Sequence, residues 1–490
     1  MMMKRPAAGL AKLCAVVVGA ALMLVGRPAR AIDIKRATLS NGAVLLVAEQ
    51  HQLPMVTVSI ALDAGARRDP PGKEGLAALT AAALMQGTSR LSASQFNEQV
   101  DFIGSALSVG AEMDYARAGF TSVSRYRSRT LKLLSELLEE PGLRDADIER
   151  KRSEQVAAIK ASQQQPGYVA RLAFRKQLFG SAPYGHPVEG LASSVARLTP
   201  SDVRGFYRRY YRMGGAVIAV VGDVNAAAVQ SELERSFARL RGRPAEQATP
   251  GAPALAPALK AELINRDLAQ ATVLAGSAGI ARSNPDYYRL KVMNYILGGG
   301  GFASRLVKVV RSRAGLAYSV ASWFEADKFV GPFVVALQTK NRSANAALKL
   351  VIEQLRRMKQ EPVSDAELDS AKRFLIGSFP LKLDRQSAIA RFLLQIELYG
   401  LGLDYADRYP ALIGAVTKAD VEAVARKYLH PDRLLVVVVA NQDKARIDPT
   451  ALRRQASPGA SPTAAGTEPA KAQAAVSARA TPAPPGHSGY

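Results

Sequence analysis

The 490-residue sequence holds one cysteine, Cys14, and only four histidines, His51, His186, His430 and His487. A lone thiol excludes a disulfide framework. No two histidines lie three to five residues apart, whereas a catalytic zinc takes about three protein ligands, usually with a histidine among them. No Ser-His-Asp arrangement is visible either, and the only thiol lies in the N-terminal leader described below. Aromatic residues make up 6% of the chain and the basic ones are scattered, so the footprint of a nucleic-acid binder is missing. The mean hydropathy of −0.02 excludes a polytopic membrane protein.

At this length two or more domains are expected. The N-terminus has basic residues (Lys4, Arg5, Lys12), an apolar run from Leu13 to Gly26, and Ala29-Arg30-Ala31, an A-x-A cleavage site. The run is shorter than the ~18 residues that argue for a membrane span. Residues 1–31 therefore read as a secretory signal peptide cleaved after Ala31. Its removal would take away the only cysteine, which suits a periplasmic protein not integral to the membrane. Five basic residues leave with it, reducing the net charge from +23 to +18 (23 − 5). Such an excess favours acidic partners or anionic surfaces, and a solvated basic surface is the simplest reading.

An internal repeat sets the architecture. Thr199-Pro-Ser-Asp-Val through Tyr210 and Thr417-Lys-Ala-Asp-Val through Tyr428 share a constant offset of 218 residues (417 − 199 and 428 − 210). Each reads as a helix capped by threonine, with Asp202 or Asp420 at its third position, followed by a buried strand, Val217–Val221 or Leu435–Val439. A weaker echo links Val56–Arg67 with Thr272–Arg282. Ser92 and Gln95 form a capping box for a helix that stops at Gly104, and Leu107–Val123 alternates like a hairpin. Residues 127–140 and 145–165 read as long helices. The expected fold class is α+β: two homologous domains, 32–240 and 259–447, each a mostly antiparallel sheet with helices layered on one face. Residues 241–258, rich in Pro, Ala and Gly, read as a linker. The Ala/Pro/Ser/Thr-rich tail, 448–490, is expected to be disordered.

Gly75-Leu-Ala-Ala-Leu-Thr-Ala-Ala-Ala-Leu-Met-Gln-Gly-Thr88 resembles the zinc helix of the pitrilysin/insulinase-like (inverzincin) peptidases, G-[LI]-A-H-x-x-E-H-x-x-x-x-G-T. The flanks match, but the three chemical positions are Ala78, Ala81 and Ala82. The family's third ligand, a glutamate about 76 residues further on, falls on Ala158, and a supporting acid seven residues earlier falls on Lys151. Glu149 and Glu154 are nearby but out of register and read as a solvated helix face. His186, in Pro183-Tyr-Gly-His-Pro187, reads as a turn residue, and His51 as structural.

The second half keeps Gly301-Phe-Ala-Ser-Arg-Leu306 and Arg311-Ser-Arg-Ala-Gly-Leu-Ala-Tyr-Ser-Val320, which resemble the family's C-terminal signature. The resemblance implies that Arg311 and Tyr318 bind substrate; both can donate to a peptide carbonyl or a developing oxyanion. The alternative has Arg311 paired with a surface acid and Tyr318 packed at a strand start. Gly298–Gly301 lack the Lys-Ser/Thr of a phosphate loop, and close packing or a substrate-facing loop is expected instead. By resemblance, the fold is like that of mitochondrial processing peptidase. The chain would be the non-catalytic subunit of a periplasmic heterodimeric endopeptidase, binding no cofactor itself. A homologous partner with an intact H-x-x-E-H would hold the zinc, and the pair would act on peptides or unfolded proteins. A pure scaffold of the same fold is the rival reading, and it predicts that both half-sites decay.

Overall fold

The computed structural model describes residues 32–246 and 249–457. The expected signal peptide and the tail from 458 onward lie outside the described residues.

Eleven strands are described. Those of the first half are β1 (Lys35–Thr38), β2 (Val44–Glu49), β3 (Met55–Leu62), β4 (Ala106–Ala111), β5 (Ala116–Val123) and β6 (Val217–Gly222). Those of the second are β7 (Lys260–Asn265), β8 (Gln270–Ala278), β9 (Ala317–Phe324), β10 (Pro332–Lys340) and β11 (Leu435–Ala440). One sheet runs β1-β2-β6-β3-β5-β4 and the other β7-β11-β8-β10-β9. Without β1 the two orders are the same, as the repeat requires. In each sheet one pair is parallel, β2 with β6 and β7 with β11, and all the others are antiparallel. The fold is thus α+β with two mostly antiparallel sheets. Both capping threonines act as expected: Thr199 Oγ1 accepts from the Asp202 N–H, and Thr417 Oγ1 from that of Asp420.

β6 and β11 are buried at every residue. A strand reads as an unbroken Val/Ile run only when both of its faces are covered, and the second cover comes from an exchange. The Pro166–Phe179 helix belongs to the first half by sequence but packs on β8 and β11 of the second sheet. In return, Gln386–Leu398 packs on β3 and β6 of the first. Phe174, Leu178 and Phe179 thereby enter a core with Leu274, Val437 and Val439. Full burial of such a side chain stabilises by about 1.5–3 kcal/mol. Polar contacts fix the exchanged helices: Gln386 Nε2 donates to Met55 O at 3.2 Å, Arg36 grips Glu397 at 2.8 and 3.1 Å, and Gln177 donates to Glu262. Reading helices onto one face of each sheet is therefore incomplete, because the other face is covered by a helix from the opposite half.

The boundary of the expected disordered tail needs correction. Pro449–Ala456 is a helix, capped by Asp448, whose carboxylate accepts from the Thr450 and Ala451 N–H groups at 2.9 and 3.0 Å. Leu452 is fully buried against the second core. Ala456 is buried beside it, and Arg453 and Gln455 donate to Leu259 O and Lys349 O at 2.9 and 3.0 Å, so a few placed side chains seat a segment whose composition is otherwise that of a linker. Residues 241–258 form neither helix nor strand where described, although Gly242 O accepts from Gly214 N at 2.8 Å.

Candidate functional site

The helix Leu76–Leu84 begins at Gly75, whose φ of +97° is left-handed backbone that glycine adopts without steric cost. The Asp69 carboxylate caps it, accepting from Gly75 N at 2.7 Å and Ala77 N at 2.8 Å. Burial pushes that carboxyl up to about 8, against the pull of those N–H groups. Ala78 and Ala82, one turn apart on one face, are partly exposed, while Ala81 is buried. The Asp145–Ser162 helix lies alongside. Gln155 Nε2 donates to Gly75 O at 3.1 Å and Glu189 O at 2.8 Å, and Arg150 reaches Gln86 Oε1 at 2.8 Å. Ala158, one turn beyond Gln155, is exposed.

The sequence-placed positions thus sit on two adjoining helices, and all four carry methyl groups. No lone pair faces a metal there, so these residues do not fit zinc. Lys151 puts a cation where an acid would support a ligand, and it pairs with Glu154 at 2.7 Å. Glu154 also holds Arg150 at 3.1 Å, and Glu149 is solvent-exposed. Among the described residues no group of three or more His, Cys, Asp or Glu could hold a metal ion.

Arg311 and Tyr318 flank a tight reversal. Val307–Arg313 is wound as a π-helix, a form that occurs often at functional sites. The chain turns just beyond it at Gly315, with φ of +62°; Gly315 N donates to Arg311 O and Leu316 N to Val310 O. Tyr318 is the second residue of β9, the sheet's edge strand, and is 73% exposed. Its hydroxyl has no hydrogen bond among the described residues. Arg311 is exposed too and has no ion pair there; its guanidinium lies 5.1 Å over the ring of Phe302, itself 73% exposed. The alternative that buries Tyr318 or pairs Arg311 with an acid is not what the fold builds. Arg305 of the same signature is the structural arginine, gripping Glu367 with both arms at 2.7 and 2.8 Å. That grip holds the Glu367 carboxyl down at about 2. Of the four glycines, three are closely packed: a Cβ would meet Ser322 Oγ at 2.4 Å from Gly298, Asn294 Nδ2 at 2.7 Å from Gly299 and Tyr295 O at 2.6 Å from Gly300, while Gly301 faces open space.

His186 ends a 3₁₀ turn, its Nδ1 3.0 Å from Pro187 O, and burial lowers its pKa. His51 pairs with Asp223 at 2.8 Å on the surface. A polar cluster between the halves had no sequence signal. Tyr184 donates to Asp114 at 2.7 Å and accepts from Phe329 N at 3.1 Å, and Arg175 pairs with Glu325. Its bonded partners lie 70 to 150 residues apart and share no motif.

This geometry is that of a two-sheet peptidase scaffold with its metal positions emptied of donors and its C-terminal signature intact. The insulinase (peptidase family M16) profile matches residues 44–190, and the profile described as the peptidase M16 inactive domain matches 197–375. The crystal structure of a peptidase M16 inactive domain from Pseudomonas fluorescens is 30% identical with a TM-score of 0.78, covering 83% of this chain and 98% of its own. An uncharacterized zinc protease of Streptomyces coelicolor is 27% identical over 84% of this chain and 90% of its own length. The non-peptidase homolog YmxG of Helicobacter pylori is 25% identical over 81% and 91%. The chain belongs to the insulinase (M16) peptidase family, as a member without the residues of the metal site.

Proposed function

We propose that this chain is the non-catalytic, substrate-binding subunit of a periplasmic heterodimeric zinc endopeptidase acting on peptides or unfolded proteins. A homologous partner with an intact H-x-x-E-H holds the zinc, and this chain supplies Arg311 and Tyr318 to substrate bound there. One observation carries the reading: both side chains present their polar ends to solvent with no hydrogen bond or ion pair among the described residues, while the neighbouring Arg305 is fully engaged. A guanidinium fork and a phenol held ready across a rigid turn suit donation to a peptide carbonyl as its oxygen gains charge. This chain contributes no proton transfer and no nucleophile. It orients the peptide, and a zinc held by the partner would supply the activation of water.

The test reconstitutes the complex with Tyr318→Phe or Arg311→Ala and measures peptide cleavage beside subunit affinity. Loss of one donor is expected to lower turnover by about 10²–10³ while assembly persists. Full activity of either variant rejects the role. Activity and assembly lost together would favour the scaffold reading.

A further inference from the structure

The repeated helix-and-strand unit offers an internal control for surface charge. In the second half the Lys418–Tyr428 helix is neutralised: Arg426 pairs with Glu422 on the same helix, and Lys427 reaches Asp286 at 2.8 Å. The equivalent Pro200–Tyr210 helix of the first half carries Arg208 and Arg209 at the positions of Arg426 and Lys427, and Arg204 at that of Glu422. Arg204 pairs with Asp145, but Arg208 and Arg209 have no carboxylate partner among the described residues. Arg212 donates to Arg208 O, and Arg209 rests 5.4 Å over the ring of Tyr210.

The chain leaving this half adds to the same patch. Met213 N donates to Leu240 O at 3.1 Å and Gly214 N to Gly242 O at 2.8 Å, so the segment after the helix runs beside residues 240–242. Arg243 lies against Gly215, its Nε 2.9 Å from where a Cβ would stand. The Arg241 guanidinium donates to Ala238 O, at 2.8 Å. Glu139 and Glu140 border the patch and are taken by Arg239, through its backbone N–H and its guanidinium. Arg208, Arg209, Arg212, Arg241 and Arg243 remain without a carboxylate partner, four of them exposed and Arg212 half-buried. A helix C-terminus favours cations and accounts for Arg208 and Arg209, but not for Arg241 and Arg243.

We infer that these five arginines form a docking surface for the phosphate headgroups of an anionic lipid membrane. Guanidinium forks match phosphate oxygens in pairs. The surroundings favour a membrane over macromolecular partners that need anchors. Tyr210 and Tyr211 are buried and the Tyr207 hydroxyl is spent on Leu138 O at 2.8 Å, so no exposed ring is offered for stacking a base. None of the exposed large apolar side chains lies in this segment, so a protein interface would lack its buried core. What is left is a purely electrostatic contact, of the kind made by basic patches that adsorb without inserting.

The experiment is co-sedimentation of the mature protein with phosphatidylglycerol/phosphatidylcholine vesicles, against phosphatidylcholine alone. Binding is expected only to the anionic vesicles and should vanish near 1 M salt, where the Debye length is about 3 Å. Each arginine at the surface contributes about fivefold, so Arg208→Gln/Arg209→Gln/Arg241→Gln is expected to weaken binding by roughly a hundredfold. Its melting temperature checks the fold. Lys132→Gln/Lys160→Gln/Lys340→Gln removes the same charge elsewhere and should cost far less. The proposal is overturned if the two triple variants weaken binding equally, or if the wild type ignores anionic vesicles at low salt. Patch-dependent binding to polyglutamate with none to vesicles would also overturn it, in favour of an acidic protein partner.

Discussion

The ring of Phe174, on the helix that the first half lends to the second, stands 3.0 Å from where a Cβ would project from Gly276 in the middle of β8. The tighter limit at that glycine is the Phe333 carbonyl oxygen of the paired strand, 2.0 Å from the same point, and the ring of the borrowed helix is the second. Gly276→Ala is therefore expected to destabilise by about 1–3 kcal/mol through overpacking. Phe174→Ala should cost about 3–5 kcal/mol through the opposite defect, a cavity. Since that ring ties the two halves together, both variants should lower the melting of the whole molecule. A thermal melt in which one half keeps its native transition would contradict this.

Truncation separates two parts of the C-terminal segment. Ending the chain after Ile447 deletes the helix that buries Leu452 and should lower the melting temperature by several degrees; full burial of one leucine contributes about 1.5–3 kcal/mol. Ending it after Ser457 keeps that helix, and the melting temperature should stay at the full-length value.

Metal analysis tests the emptied site from both directions. The purified protein is expected to hold no stoichiometric zinc, since Ala78, Ala82 and Ala158 offer no donor. Ala78→His/Ala82→His/Ala158→Glu restores three donors on two helices already fastened by Gln155 and Arg150. About one zinc per chain should then bind, and no gain would show that the helices no longer hold the geometry.

The cluster between the halves predicts a pH dependence. Burial, then the charges of Asp114 and Glu325, push the Asp327 carboxyl up to about 7; Glu112 adds to this and Arg175 opposes it. The folded state therefore retains a proton that the unfolded chain has released above its ordinary value of 3.8. The cost to stability grows from about pH 4 to about pH 7, by up to about 1.4 kcal/mol per unit, and is constant beyond. Asp327→Asn should melt higher than wild type at pH 8 and nearly level with it at pH 4. Denaturant titrations at both values check the sign.

What could be read from residues alone was what lies close in sequence or repeats within it. Thr199 and Thr417 gave away two helix starts, and Leu107–Val123 its hairpin, because caps and alternation are local. Arg311 and Tyr318 were found by motif, and their lack of a hydrogen bond or ion pair only by structure, since an arginine's neighbours are set by packing. The helix exchange left no local trace. Tyr168, Phe174 and Leu178 mark an apolar stripe, but periodicity says that a face is buried and not by which strand. The Leu452 helix was missed for a related reason: composition averaged over forty residues hid a few well-placed side chains.

The exchange also governs the order in which the molecule can be completed. β3 and β6 are both delivered by residue 222, yet the helix that seals their second face ends only at residue 398. At synthesis rates of roughly 5–20 residues per second, the 176 residues between (398 − 222) keep that face waiting about 9–35 s for its cover. Over that interval the first half exposes a sheet surface of Leu46, Ala48, Ala61, Val217, Ala219 and Val221, a target for other half-made chains or for a chaperone. The chain cannot bank its folding domain by domain; it must be held open until nearly all of it has arrived.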